Sequence, residues 1–143
     1  LQPPALFAIG PTVRHADRLD WFDALPLAGL RIVMAASSSK LAAVLEDRGA
    51  ETVVLPMPVT PAARVVMAAL PLSGCLVADR SEVDWLDEER SNGGWQPGST
   101  SWCIGARTAE RARDRGWQHV VELDDGLDCD ELAENISASL PAR

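Results

Sequence analysis

Three short stretches of this chain carry residue types suited to holding an anion. The first is Gly105-Ala106-Arg107-Thr108. It follows the apolar run Trp102-Cys103-Ile104 and opens a polar segment that stops at Gly116. The pattern is a buried strand, a glycine turn, a helix starting beside a hydroxyl, and a glycine stop. The first N–H groups of a helix have no intrahelical partner and lie at the positive end of its dipole. With the Thr108 hydroxyl and the Arg107 charge they would suit a carboxylate or phosphate. Equally, Gly105 can serve only a tight turn or close packing. The second stretch is Ala36-Ser37-Ser38-Ser39-Lys40. Ser38, Ser39 and Lys40 offer hydroxyls and one cation at another helix start, and the alternative is a plain N-cap. The third is Ala78-Asp79-Arg80-Ser81, where Asp79 would point toward a ligand, or Asp79 or Ser81 would cap the following helix.

Other residues offer less chemistry. His15 and His119 stand far apart and belong to no ligand-spaced cluster, so both read as surface residues. Arg107, Arg111, Arg113 and Arg115 read as a solvated helix face paired with Glu110 and Asp114. Asp124, Asp125, Asp128 and Asp130 lack EF-hand spacing. Trp85, Trp95 and Trp117 read as packing anchors or interface residues. No GxGxxG, Walker lysine loop or nucleophile elbow occurs. Cys75, Cys103 and Cys129 form no CxxC pair, which leaves zinc and redox motifs unsupported. Cys75 and Cys103 fall in apolar runs and read as buried thiols of a reducing cytoplasm.

The elements that would position these residues alternate along the chain. Arg31–Ala35 reads as a strand, followed by a helix with Leu41, Val44 and Leu45 on one face and Gly49 as its stop. Thr52–Leu55 is β-branched and halted by Pro56 and Pro58. A helix over Ala62–Leu70, a strand over Cys75–Ala78 and a helix over Val83–Arg90 follow, with Val83, Leu86 and Trp85 turned inward. Ser91–Thr100 reads as a loop. Trp102–Ile104, Ala106–Arg115 and Val120–Leu123 form a further βαβ unit. Asp128–Leu140 closes the chain as a helix with Leu132, Ile136 and Leu140 on one face.

Strands alternating with helices imply an α/β fold, a single doubly wound parallel sheet of about five strands in the flavodoxin-like order 2-1-3-4-5. Strands covered on both faces read as apolar runs, as these do. In such sheets a ligand sits beyond the carboxyl ends of the strands, where all three anion-suited stretches fall. The 143 residues suffice for one domain with a core. The chain is 47% hydrophobic and 24% charged, ordinary for a globular protein. Its net charge of −8 argues against nucleic acid, and no apolar run nears the roughly 20 residues a membrane span needs.

Residues 29 to 140 resemble one sequence half of the uroporphyrinogen-III synthase family, which closes linear hydroxymethylbilane into the tetrapyrrole ring. Gly29-Leu30-Arg31-Ile32-Val33 is similar to its opening strand, and Leu45 to Pro56 to its "L...Gaevv.lP" segment. Gly74 to Val83 takes the place of "d.vvfTSanaV", and Trp102 to Gly116 resembles the closing half-motif with its "vG..Ta..l...G" signature. Asp130-Glu131-Leu132 completes the half-motif. Residues 1 to 28 read as a tail or linker. Within them, Pro4 to Val13 resembles the last strand of uroporphyrinogen-III C-methyltransferase, and Leu19 to Phe22 with Pro26 to Gly29 resembles the joint where that enzyme is fused to the synthase. Leu1 in place of Met fits a fragment of such a fusion. The expected domains are thus the tail, 1–28, and a synthase-like module, 29–143.

Departures from the family shape what the resemblance implies. Ala35-Ala36 stand where it has Thr-Arg, and Ala78-Asp79 where it has Thr-Ser. Asp79 would repel a substrate bearing eight carboxylates. Only Thr108 matches a ligand-facing family hydroxyl. The synthase encloses its substrate between two lobes, and this chain has residues for one. The expectation is a degenerate module of tetrapyrrole biosynthesis, not catalytic alone, serving assembly or regulation of a methyltransferase in cis. S-adenosylmethionine would bind only that methyltransferase, so the module itself needs no cofactor; a linear or cyclic tetrapyrrole is its expected ligand. A homodimer is expected, formed through the Leu6–Ile9 edge or the face its sister lobe would cover. Two alternatives stand beside this: a synthase completed by a second lobe or partner chain, and an unrelated sensory α/β domain. The latter lacks the acidic cluster a phospho-receiver carries after its first strand.

Overall fold

The computed structural model describes residues 24–93, 98 and 100–140. Five strands alternate with five helices: β1 (Arg31–Ala35), α1 (Ser39–Asp47), β2 (Glu51–Leu55), α2 (Pro61–Ala69), β3 (Gly74–Val77), α3 (Arg80–Gly93), β4 (Thr100–Ile104), α4 (Ala106–Asp114), β5 (Val120–Leu123) and α5 (Cys129–Ala138). A single 3₁₀ turn, Ala36–Ser38, joins β1 to α1. All strand pairs are parallel, in the order β2-β1-β3-β4-β5. This is the doubly wound, flavodoxin-like sheet that the alternation implied.

The two-residue period of a strand divides the core between the faces of the sheet. Ile32, Met34, Leu76 and Trp102 face α1 and α5, meeting Leu41, Leu45, Leu132 and Ile136. Val33, Cys75, Val77 and Cys103 face α2, α3 and α4, meeting Met67, Val83, Leu86, Ala109 and Ala112. The central strands β1 and β3 are covered on both faces, which is why they read as apolar runs, whereas β2 and β5 keep Glu51 and Glu122 exposed. Trp102 is the bulkiest fully buried side chain, and its indole N–H donates to Ser139 Oγ at 2.9 Å. Gly74 makes room for it: a Cβ there would lie 2.5 Å from the Trp102 ring and 2.4 Å from the Thr100 carbonyl.

Helix starts follow their local chemistry. Thr60 caps α2 by accepting from the Ala63 N–H at 3.2 Å, with Pro61 in the first turn. Asp128 and Glu131 form a reciprocal capping box at α5, with both bonds 2.9 Å.

Several expectations change. The third helix is longer than Val83–Arg90, running from Arg80 to Gly93, and strand β4 begins at Thr100, so both ends of the expected 91–100 loop are taken up. Val83 and Leu86 are buried and Trp85 partly so, as the spacing required. The packed unit begins before Gly29: Leu27 is fully buried and donates its N–H to the Arg48 carbonyl at 3.0 Å, and Ala28 is buried beside it. These two apolar residues close the base of the α1 face, so the last two residues of the segment read as a tail or linker, 1–28, pack with the sheet. The resemblances drawn on Pro4–Val13 and Leu19–Phe22, the Leu6–Ile9 edge, His15 and Trp95 lie outside the described residues. Among the described residues no helix is long and apolar enough to cross a membrane.

Candidate functional site

The chain leaves β1 for α1 on one face of the sheet and β3 for α3 on the other. These strands are neighbours, so their carboxyl ends form the switch point where such folds bind ligands. Here the chain's own groups meet across it. Glu82, in the first turn of α3, is buried. Its carboxylate accepts from the Ala78 N–H at 2.7 Å and from the Ser37 hydroxyl, joining the turn after β3 to the turn after β1. The Thr108 hydroxyl, also buried, donates to the Ala78 carbonyl at 3.5 Å and brings in the turn after β4.

Asp79 is the N-cap of α3. It accepts from the Glu82 N–H at 3.0 Å and the Ser81 hydroxyl at 2.6 Å. The Ser81 hydroxyl, and after it the Glu82 N–H, hold its carboxyl below the usual carboxylate range. Its side chain is nonetheless exposed at the edge, so a negative charge does stand there. Gly105 precedes α4 with φ 85° and ψ 146°, a conformation nearly confined to glycine. Its N–H donates to the Leu123 carbonyl at 2.7 Å, and its carbonyl accepts from the N–H groups of Thr108 and Ala109, both at 3.1 Å.

The serines of the first turn depart from the capping expectation. Ser38 is buried without a side-chain capping bond, Ser39 is exposed, and Ser37 is drawn to Glu82 instead. Lys40, Arg80 and Arg107 are exposed and, among the described residues, make no ion pair. Each stands in the first turn of the helix following β1, β3 or β4, where the helix dipole disfavours a cation.

The other arginines of α4 are engaged differently from the sequence reading. Arg111 binds Asp84 through Nε and Nη2 at 2.9 and 3.0 Å, and Arg115 reaches Asp84 at 2.6 Å and Asp87 at 3.6 Å. Arg113 lies 3.7 Å from Glu122. The expected pairing with Glu110 and Asp114 gives way because α3 packs alongside α4 and presents its own acids. Burial alone would raise the Asp84 carboxyl, but the hydrogen bonds and charges of Arg111 and Arg115 hold it below its ordinary value. Trp117 is buried and donates to Asp87 at 3.0 Å, which makes it a packing anchor; His119 is exposed.

A groove of about 590 Å³ runs between the first turns of α3 and α4 and takes in Asp79, Arg80, Arg107 and Glu110. Of the anticipated residues it gathers Asp79 and Arg107. Gly105 and Thr108 serve the turn behind it, and Ser38, Ser39 and Lys40 do not line it. A larger hollow, about 820 Å³, lies at the opposite edge beside Gly29, Arg31, Gly49 and Ser73. Only the smaller groove lies at the carboxyl edge, to which the helix N-termini point. Glu82 is the residue that sequence reasoning missed. The Asp79-x-x-Glu82 spacing of a capping box signals it, but its reach to Ser37, 45 positions away, has no local trace.

No protein-family model matches this chain, and no curated protein matches it.

Proposed function

We propose that this chain is a cytoplasmic, degenerate module of tetrapyrrole biosynthesis. It is related to one lobe of uroporphyrinogen-III synthase, joined to a uroporphyrinogen-III C-methyltransferase, and acts in assembly or regulation, not in catalysis by itself. The observation that carries the non-catalytic part is the Glu82 carboxylate buried across the β1–β3 junction. A working site would present donors to substrate carboxylates there; this chain spends the Ala78 N–H, the Ser37 hydroxyl and the Thr108 hydroxyl on itself. Exposed Asp79 adds like charge at the same edge. The tetrapyrrole assignment is supported by the ordered resemblances over residues 29 to 140 and by a sheet of the matching α/β class. Lys40, Arg80 and Arg107 leave room for weak carboxylate binding at the rim, each cation at an exposed site contributing on the order of 1 kcal/mol or less.

Two measurements test the reading. Enzymatically generated hydroxymethylbilane is incubated with the purified chain, and the uroporphyrin isomers are separated after oxidation. Isomer III is expected at the level of the protein-free control; isomer III above it, abolished by Thr108→Ala, restores the chain as a synthase. Second, the chain is titrated into a uroporphyrinogen-III C-methyltransferase that lacks such a module. Co-sedimentation or a changed methylation rate is expected, and the absence of both removes the pathway assignment.

A further inference from the structure

The carboxylate of Glu82 sits where a bound anion would sit. Helix capping accounts for only part of its bonding. Asp79 already caps the start of α3, and a glutamate three residues on ordinarily reaches back to the N–H of the cap residue, as Glu131 does to Asp128 in α5. Glu82 instead takes the Ala78 N–H at 2.7 Å and the Ser37 hydroxyl, which belongs to the turn after a different strand. One carboxylate thus gathers a main-chain donor from the turn after β3 and a hydroxyl from the turn after β1. Those turns meet at the junction where this topology receives ligands. A ligand carboxylate placed there would be held by the same two donors. Glu82 is 4% exposed, so the seat is both built and filled.

The surroundings suit an anion arriving from outside. Lys40, Arg80 and Arg107 are exposed and, among the described residues, make no ion pair. Each lies in a first helical turn, where the dipole disfavours it and no acid offsets the cost. The groove of about 590 Å³ that starts at Asp79 and Arg80 is lined by charged and hydroxyl side chains. Its volume is that of a small-molecule site. Asp79 at the rim and Glu110 further along oppose an anion and temper its affinity.

We propose that the Glu82–Ser37–Ala78 cluster is a carboxylate-binding site held shut by the chain's own glutamate, an autoinhibitory contact. A small molecule ending in a carboxylate enters along the groove past Arg80 and Arg107. It takes the Ala78 N–H and the Ser37 hydroxyl as Glu82 swings out. The occupant is a small molecule because the seat takes a single carboxylate and the groove runs only along the first turns of two helices. Binding to the parent chain is weak, since the tethered carboxylate competes at an effective concentration of about millimolar or more. The proposal shares the Glu82 contact with the non-catalytic reading and is independent of the tetrapyrrole assignment, so a failure of acetate binding and an appearance of isomer III are read separately.

Acetate is the probe, because Glu82→Ala removes a methylene and its carboxylate, a unit of the shape and charge of acetate. Urea midpoints of the parent, Glu82→Ala and Glu82→Gln are compared in sodium acetate and in sodium chloride at equal ionic strength, and the Ala78 amide is followed by NMR. Glu82→Ala should gain stability in acetate saturably, with a Kd on the order of 10 mM, within the bound for so small a ligand. The Ala78 amide should shift with the same Kd. The parent and Glu82→Gln, whose seats are filled, should bind at least about tenfold more weakly. Adding Ser37→Ala to Glu82→Ala should weaken acetate by about threefold or more, the loss of one hydrogen bond. A parent that binds acetate as tightly as Glu82→Ala overturns the proposal, since Glu82 then gates nothing. So does a Glu82→Ala chain that gains no more from acetate than from chloride. Acetate binding indifferent to Ser37 lies at the rim and overturns it as well. If Glu82→Ala is unfolded in chloride, acetate should fold it by circular dichroism; a chain still unfolded in acetate overturns the proposal.

Discussion

The carboxylate of Glu82, on α3, and the hydroxyl of Ser37, in the 3₁₀ turn leading into α1, meet across the junction of β1 and β3, and the two helices lie on opposite faces of the sheet. The bond closes the crevice that this topology leaves open, and it uses an acid where an anionic ligand would need donors. The same carboxylate holds the Ala78 N–H, so losing it strands a half-buried main-chain donor.

Glu82→Ala is therefore expected to destabilise the fold by about 1–3 kcal/mol in urea unfolding, the range for leaving a desolvated hydrogen-bond donor without its partner. Glu82→Gln should cost less, since its amide can still accept from Ala78 and donate to Ser37. A double-mutant cycle with Ser37→Ala should return a coupling of at least about 0.5 kcal/mol. Additive single effects would mean that the two turns are independent.

At Gly105 the backbone conformation decides what the glycine is for. With φ 85° and ψ 146°, an alanine there strains the chain, and its Cβ would lie 3.3 Å from Asp125 Oδ2. Gly105→Ala should cost about 1–3 kcal/mol by chemical denaturation, whether or not any anion is present. If instead the glycine serves chiefly to admit a ligand, the variant keeps its stability and loses only binding.

The thiols give a pH dependence. Burial pushes Cys75 up to about 11; burial, with Cys75 nearby, pushes Cys103 up to about 12. Cys129 is half-buried on α5. A disulfide reagent at about pH 8 should label one cysteine rapidly and the other two only on unfolding. In the unfolded chain Cys75 and Cys103 ionise near the ordinary value of 9.0, whereas the folded chain keeps them protonated. Their contribution to stability is thus complete below pH 9 and is lost as pH rises through 11 to 12. The urea midpoint should fall between pH 9 and 11, and less so in the Cys75→Ala, Cys103→Ala double variant; equal slopes would refute the assignment.

What the sequence by itself determined is the alternation of elements and the covering of both sheet faces. Arg31–Ala35 falls where its apolar run placed it, because a strand covered on both faces keeps its inner positions apolar; Val120–Leu123, at the edge of the sheet among the described residues, was legible from its β-branched pair although Glu122 is exposed. The capping role of Asp79 was legible as well, since a cap is a contact over three residues. Contacts between distant segments were not. The partners of Arg111 and Arg115 are set by α3 lying against α4, and local spacing offered Glu110 and Asp114 just as readily. Glu82 had only a helix-start signature, while its place at the switch point depends on β1 and β3 being neighbours. The bareness of Val65 and Val66 is likewise a tertiary fact: both sides of α2 are apolar in the sequence, and only the sheet decides which one it covers.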